Sequence, residues 1–320
     1  MKNVNKLKVV FTLVLAVILL IFPISGVSDY LIRIAIMLMI YIITSVGLNL
    51  ISGETGQVSM GQAGFFAVGA YSSALLAMKL GIPVIICIIL AAFLAGIVAT
   101  LIGRLALRLS GGYLAVITLA LSEAIRLVII NWSSMTNGNV GLTAIPRPRL
   151  FSIRFEDYHA FYYMTLVFTI MMLFFSRNLI KSHFGLRLRM IKNDEIAAQN
   201  CGLNILRIKV AAFGLAGLFG GLGGALYAHL MRFLDPTVAA NTKSNLFLCM
   251  VVLGGMGNMT GTVIAAIVLG LLPEVLRGFD ELNQLIYGLI LIFAMLSRAK
   301  NISISSIKKK IFDRSLKKTG

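Results

Sequence analysis

Long apolar runs, separated by short polar segments, follow one another along the whole sequence. Most of them approach the roughly 20 residues that an α-helix needs to cross a hydrocarbon core, and the last three are shorter. The runs are 9–24, 30–51, 58–78, 82–103, 112–132, 160–176, 208–231, 246–255, 262–275 and 284–296. This pattern predicts an all-α fold, a polytopic membrane helix bundle of about ten transmembrane segments.

The composition supports the same class. Of the 320 residues, 58% are hydrophobic and 13% are charged, and the mean hydropathy is +0.93. Soluble proteins have about 45–50% apolar and about 25% charged residues. A folded surface in water must carry polar groups, so this composition excludes a soluble globule, and its hydrophobicity excludes a disordered chain.

The net charge of +17 predicts topology rather than nucleic-acid binding, because Lys and Arg accumulate on the cytoplasmic side of membrane proteins. With the lysines before residue 9 in the cytoplasm, successive crossings also place the basic loop 181–209 there. The basic tail 303–320 belongs on the same side, which requires an odd number of crossings after residue 231. Ten crossings with both termini cytoplasmic satisfy this count, and eight do so if two short runs form a re-entrant hairpin.

The chain therefore divides into an N-terminal end with the first helix (1–29), a transmembrane domain (30–302) and the basic tail (303–320). The first run also resembles a signal peptide, but a multispanning protein needs no cleavable signal, and we favour a retained helix. Cys87, Cys201 and Cys249 form no CxxC pair. Neither a disulfide framework nor a metal site is predicted.

Two glycine-rich segments, 53–64 and 254–261, interrupt the apolar pattern. Backbone that is not helical at membrane depth must be buried in protein or line a water-filled cavity. Paired interruptions in two halves indicate a transport site, and segments two to five and seven to ten run in opposite directions, as an inverted repeat would. The candidate pathway residues are Gly56, Gln57, Ser59, Gly61, Gln62, Gly254, Gly255, Gly257 and Asn258.

Close helix packing is the alternative interpretation of these small residues. For Gln57, Ser59 and Gln62 both interpretations stay open. For the GxxxG spacings of Gly217 with Gly221, and of Gly220 with Gly224, we favour packing.

Glu123 and Arg126 lie three residues apart inside the run 112–132, so they share one helix face. Arg126 would attract a substrate carboxylate and Glu123 an amino group. A charge at the helix centre costs roughly 2.5–3.5 kcal/mol on insertion scales, which a partner reduces. We therefore favour a structural pair whose members neutralise each other.

The loop 181–209 contains Glu195, Ala197 and Ala198, followed by Gly202. The residues before Gly202 favour a short helix that this glycine would end. Such a helix would dock into a cytoplasmic partner or lie on anionic lipid. The longest loop on the other side, 133–159, is rich in turn formers and is either a docking surface for an extracytoplasmic partner or a connector.

The sequence contains no GxxxxGK[ST], HExxH or GxSxG motif. We therefore predict no catalytic residues, no enzyme activity and no ATP site in this chain.

Several segments resemble, in order, the permease subunits of branched-chain amino acid ABC importers, and more closely the M-type of the two permeases that such importers use. The resemblance covers roughly residues 30 to 302. The segments that carry it are 47–71, 111–120, 141–146, 184–189 and 252–261.

This resemblance implies a multi-pass protein of the bacterial cytoplasmic membrane with the inverted repeat of type II ABC importers. It implies a second permease subunit, two cytoplasmic ATP-binding subunits and an extracytoplasmic substrate-binding protein as partners, besides membrane lipid. It implies no cofactor in this chain, because the partners bind ATP. It also places Glu195, Ala197, Ala198 and Gly202 in the ATPase-coupling loop, although Ile196 interrupts the general coupling pattern. Glu54 occupies a position where a neutral residue is expected, and no role is predicted for it.

One alternative to this interpretation changes the substrate, and a second changes the mechanism. An ABC permease of this kind would instead carry urea, short amides, sugars or nucleosides. A self-sufficient ion-coupled carrier or channel would use Glu123 and Arg126 as its coupling site. An integral membrane enzyme is disfavoured for want of a catalytic cluster.

Overall fold

A computed structural model describes residues 20, 22–23, 27–107, 112–150, 153–154 and 158–275. Helices dominate this part of the chain, and two two-residue strands, β1 (Arg149–Leu150) and β2 (Ile153–Arg154), form one antiparallel hairpin. The helices are α1 (Asp29–Glu54), α2 (Gln62–Lys79), α3 (Val84–Ala106), α4 (Gly112–Asn131), α5 (Ser133–Thr136), α6 (Tyr158–Lys181), α7 (His183–Asn193), α8 (Glu195–Asn200), α9 (Ile205–Met231), α10 (Asn241–Gly254) and α11 (Met259–Val275). The all-α membrane bundle predicted from the sequence is confirmed.

Among the described helices, α1, α3, α4, α6 and α9 are long and apolar enough to cross a membrane, and α11 is a shorter apolar helix. The most apolar windows of α1 and α9 are 72% and 61% buried inside the chain, whereas that of α4 is only 22% buried. Helices α1 and α9 therefore form the centre of the bundle, and α4 presents most of its surface outward. Apart from residues 20, 22 and 23, the predicted runs 9–24 and 284–296 and the tail 303–320 lie outside the described residues. The count of ten crossings therefore stays a prediction.

Small residues let α9 lie against its neighbours at close range. A side chain at Gly217 would collide with Ala99 of α3, and one at Gly221 would collide with Ala95 of the same helix. On the other side, a side chain at Gly224 would strike the carbonyl oxygen of Phe66 in α2. These GxxxG spacings are thus packing surfaces, as the sequence indicates.

Helix α2 begins inside the bundle rather than at its edge. The Nε2 of Gln62, its first residue, donates to the carbonyl oxygens of Thr44 (3.3 Å) and Ala216 (3.1 Å). Thr44 lies about ten residues before the end of α1, about 15 Å along the helix at 1.5 Å per residue. The segment 55–61 therefore turns back into the bundle, which is why the predicted run 58–78 becomes helical only at Gln62.

Helix α10 also begins inside the bundle. Ser244, in its first turn, accepts a hydrogen bond of 2.9 Å on Oγ from the backbone N–H of Ala63. The first turns of α2 and α10 therefore meet, and the segment 232–240 leads from the end of α9 to this meeting point. Helix α4 fixes both re-entrant segments from positions one turn apart. Thr118 Oγ1 accepts from the Met60 N–H at 2.9 Å.

One turn further along α4, Ser122 donates to the carbonyl oxygen of Ala239 at 3.2 Å. Under the predicted inverted repeat, the segment that corresponds to 55–61 is not the glycine turn. When segments two to five and seven to ten are matched in order, the counterpart of 55–61 is 232–240, which contains no glycine. The left-handed backbone of that segment is supplied by Arg232 (φ 59°). The glycine turn 255–258 corresponds instead to the connection between α2 and α3.

The described part of the loop 133–159 up to residue 150 is folded onto the bundle. Leu142 and Leu234 exchange backbone hydrogen bonds of 2.8 and 2.9 Å, and the Ile145 N–H donates to the carbonyl oxygen of Arg232 at 3.3 Å. A side chain at Gly141 (φ 78°) would collide with the Leu234 carbonyl oxygen, so glycine is required for this approach. The loop is therefore attached to the end of α9 and is not a free connector.

Candidate functional site

The loop 181–209 folds into two helices, of which the sequence predicted one. Each helix of this loop, and the one that follows, begins with a polar side chain that caps its free N–H groups. Ser182 caps α7 through the N–H of Phe184 at 3.2 Å, and Asp194 caps α8 through the N–H groups of Ile196 and Ala197 at 2.9 and 3.0 Å. Asn204 caps α9. The predicted end of α8 is confirmed, because Gly202 follows it in the left-handed conformation (φ 80°).

The four predicted coupling residues do not share one environment. Ala198 is 1% exposed and packs inward among apolar side chains, so it contacts the bundle rather than a partner. Ala197 is exposed, and its neighbour Ile196 is 73% exposed. Glu195 pairs with the buried Lys209, with Oε1 and Nζ 2.6 Å apart. The surface available to a partner therefore includes Ile196 and Ala197, together with the exposed Gly202 that follows α8. No pattern in the sequence selects Ile196.

Helix α7 is attached to the end of α1 by two polar contacts. Arg189 Nε donates to Oε2 of Glu54 at 2.9 Å, and the Glu54 side chain is 5% exposed. Lys192 Nζ donates to the carbonyl oxygen of Gly53 at 2.6 Å. Glu54, for which the sequence predicts no role, is thus a buried ion-pair partner of the loop.

The glycine turn between α10 and α11 joins the same place. The N–H of Gly257 (φ 87°) donates to Oδ1 of Asn49 in α1 at 2.9 Å. A side chain at Gly53 would collide with the Gly257 backbone, so two backbones meet here at a distance that only glycine permits. The two glycine-rich segments of the sequence are therefore neighbours, and they meet at Gly53 and Gly257, beside α7.

The predicted pathway residues of the first segment differ in exposure. Gly56 is exposed and Gln57 is half-buried, and both line a cavity of about 430 Å³ beside Lys192 and Asp194. Ser59, Gly61 and Gln62 are buried within the chain. For Gln62 the contacts favour packing, because its amide joins α1 to α9.

In the second segment, Gly255 has left-handed backbone (φ 99°) and is buried, whereas Gly257 and Asn258 are exposed at the tip of the turn. Gly254 and Gly261 lie against each other, and a side chain at either position would collide with the backbone of the opposite helix. Asn258 Oδ1 accepts from the Gly261 N–H at 3.2 Å and so caps α11. These residues build a rigid turn.

Glu123 and Arg126 form the ion pair that the spacing predicts. The Oε1 of Glu123 lies 2.8 Å from Nε and 2.5 Å from Nη2 of Arg126. Each side chain remains about one third exposed, at 34% and 32% respectively. The pair is thus mutually satisfied, on a helix that the other described residues leave largely uncovered.

The resemblance identified from the motifs is confirmed by comparison with known proteins. The profile of the family described as "Branched-chain amino acid transport system / permease component" matches residues 30–295. The high-affinity branched-chain amino acid transport system permease protein LivM of Salmonella typhimurium is 33% identical, with 91% of this chain and 74% of that protein aligned. LivM of Escherichia coli is also 33% identical, over 93% of this chain and 75% of its own.

The guanosine ABC transporter permease protein NupQ of Bacillus subtilis is 30% identical over 61% of this chain and 65% of its own length. No solved structure is a significant match. The family profile extends from the start of α1 to beyond α11 and so includes the folded loop 181–209 and both re-entrant segments. This chain is a multi-pass membrane protein that belongs to the family of branched-chain amino acid transport system permease components.

Proposed function

We propose that the chain is the M-type permease subunit of an ABC importer and forms part of the passage for leucine, isoleucine and valine. The observation that carries this proposal is the 33% identity to two LivM permeases over more than nine tenths of the chain. In this proposal a second permease completes the passage, two ATP-binding subunits drive it, and an extracytoplasmic binding protein delivers the substrate. The chain itself is a transport subunit and holds no ATP.

Charge supports a cytoplasmic position for loop 181–209, because Lys and Arg accumulate on the cytoplasmic side of membrane proteins. The loop carries Lys181, Arg187, Arg189, Lys192, Arg207 and Lys209. The exposed Ile196 and Ala197 would then face an ATPase. The attached loop 133–150, at the opposite end of α9, would face the binding protein. Both termini would be cytoplasmic.

Alternating access is the mechanism that we propose. Closure of the ATPases on ATP would move α7 and α8, and the motion would change which side of the membrane the passage between the two permeases opens to. The re-entrant segments 55–61 and 232–240 support this, because backbone outside α-helices at membrane depth is a recurrent feature of transport sites. The second segment contains one short 3₁₀ helix, Pro236–Ala239. The weakly covered helix α4 would face the second permease.

Co-purification in mild detergent, followed by reconstitution, tests the proposal. We expect P-loop ATPases and a second permease to remain bound, and ATP-dependent leucine uptake to appear only when the binding protein is present. A homo-oligomer without ATPase, or uptake by this chain alone driven by an ion gradient, would contradict the proposal. Whether the second permease is a different chain would be read from the same mass spectrum.

The guanosine permease relative makes nucleosides the principal alternative substrate. Selection in such importers is made largely by the binding protein, so the permease discriminates substrates poorly. Competition of leucine uptake by guanosine, with the native binding protein in place, distinguishes the two. Inhibition by isoleucine and valine, without inhibition by guanosine, is the expected result.

A further inference from the structure

Three hydrogen bonds connect segments that are distant in the sequence. They join α7 to α1 through Arg189 with Glu54 and Lys192 with Gly53, and they join α1 to the turn 255–258 through Asn49 with Gly257. We call the six residues Asn49, Gly53, Glu54, Arg189, Lys192 and Gly257 the clasp.

Burial makes the clasp hard to open. The Glu54 side chain is 5% exposed, and Arg189, which is 49% exposed, is its ion-pair partner. Separation of the two would leave a carboxylate inside the protein without a counter-charge, which is strongly unfavourable. Gly53 and Gly257 are in backbone contact, and the Asn49–Gly257 hydrogen bond joins the turn to α1. Displacement of α7 therefore displaces the end of α1 and the turn together.

Helix α10 continues from this turn to the middle of the bundle. Its 14 residues span about 21 Å at 1.5 Å per residue. Near the far end, Ser244 Oγ accepts a hydrogen bond from the Ala63 N–H in the first turn of α2, where both re-entrant segments meet. Helix α10 thus connects the turn 255–258, next to α7, to the meeting point of α2 and α10.

We propose that the clasp moves as one unit and transmits motion of the α7–α8 loop through α10 to the meeting point of α2 and α10. Glu54, Arg189 and Lys192 are then positioning residues for transport, and they touch neither ATP nor substrate. This inference rests on the proposed function. It assigns to Glu54 a task that neither its sequence position nor the family resemblance supplies.

The test uses the complete importer in proteoliposomes, with leucine uptake and ATP hydrolysis measured on the same sample. The variants are Glu54→Arg, Arg189→Glu, the double exchange, and Lys192→Met. Arg187→Met is the matched control, because Arg187 is an exposed cation on the same helix outside the clasp.

Each single charge reversal should lower leucine uptake per ATP by about tenfold or more, the effect expected when a hydrogen bond to a charged group is lost and its partner stays unpaired. Lys192→Met should act in the same direction. The double exchange should restore most of the ratio, and Arg187→Met should stay within about twofold, as is usual for surface changes. An unchanged ratio in the single variants, or a double exchange no better than the poorer single one, would overturn the proposal.

A chemical cross-link between positions 54 and 189 keeps the proposal testable if the charge-reversal variants assemble poorly into the importer. Cysteines at positions 54 and 189 would be bridged with a short bifunctional reagent, in a Cys201→Ser background because Cys201 is exposed. The unbridged pair should be poorly coupled, and bridging should restore uptake. Uptake that stays low or falls further on bridging would refute movement as one unit. A wild-type complex without ATP-dependent leucine uptake would instead refute the proposed function.

Discussion

His229 Nδ1 lies 2.7 Å from the carbonyl oxygen of Pro146, and this contact attaches loop 133–150 to the end of α9. The ring is fully buried, and its Nε2 lies 2.8 Å from Oγ of Ser73 in α2. A neutral imidazole that donates from Nδ1 and accepts at Nε2 satisfies both contacts.

Replacement of His229 by Ala should loosen this loop. The buried Ser73 hydroxyl would lose its partner, at a cost of about 1–3 kcal/mol, and the half-buried Pro146 carbonyl oxygen would lose its contact with α9. We expect a lower melting temperature of the purified protein and faster cleavage between residues 133 and 150 by added protease. His183→Gln, at an exposed histidine, is the control. Equal cleavage rates in the two variants would contradict the assigned role of His229.

Two adjacent alanines of α8 should respond oppositely to the same substitution. Ala198→Asp places a carboxylate in an apolar cluster without a partner, which costs several kcal/mol on the order of other unpaired buried charges. Membrane levels of that variant should fall sharply. Ala197→Asp lies on the exposed face, so the protein should accumulate normally and retain less ATPase on co-purification. Equal membrane levels of the two proteins would refute the orientation of α8.

A larger residue at Gly217 should disrupt the contact between α9 and α3. Gly217→Leu forces a side chain into Ala99, and overpacking of this kind typically costs about 1–3 kcal/mol or more. We expect loss of the monodisperse peak in detergent chromatography and a reduced melting temperature. Ala211→Leu, at an exposed position of the same helix, should leave both unchanged. Identical profiles for the two variants would show that the helices are not in close contact.

Variants of Glu123 and Arg126 distinguish a structural role of this ion pair from a role in ion coupling. Glu123→Gln leaves Arg126 without a counter-charge, and the penalty should be below the roughly 2.5–3.5 kcal/mol of a charge at the bilayer centre because the site is partly exposed. The double variant with Arg126→Gln should recover membrane levels and uptake. If the double variant inserts normally and transports nothing, the pair serves transport itself, as an ion-coupled carrier would require.

Much of the helix pattern could be predicted from the sequence, because each apolar run of membrane length has few arrangements available to it. The run 30–51 became α1, and the runs 208–231 and 112–132 became α9 and α4 with small shifts at their ends. The GxxxG spacings were correctly assigned to packing, because small residues at that period have one main use between helices.

The candidate site was predicted less well, since it depends on contacts between distant segments. Glycine content selected the turn 255–258, but the second re-entrant segment obtains its left-handed backbone from Arg232, which no compositional rule selects. Glu54 was given no role because its partner Arg189 lies 135 residues away. The direction in which Ala198 points depends on the docking of α8, and the pattern of one short helix does not fix that docking.

The Asn49–Gly257 hydrogen bond joins positions 208 residues apart, and this separation sets an order of events during synthesis. At about 5–20 residues per second, the ribosome needs about 10–40 s to proceed from the first partner to the second. During that interval α1 is already made, while Asn49 Oδ1 has no Gly257 to accept from. Nascent chains that end after residue 189 and before the turn 255–258 contain both partners of the Glu54–Arg189 pair and lack the contact that links them to α10.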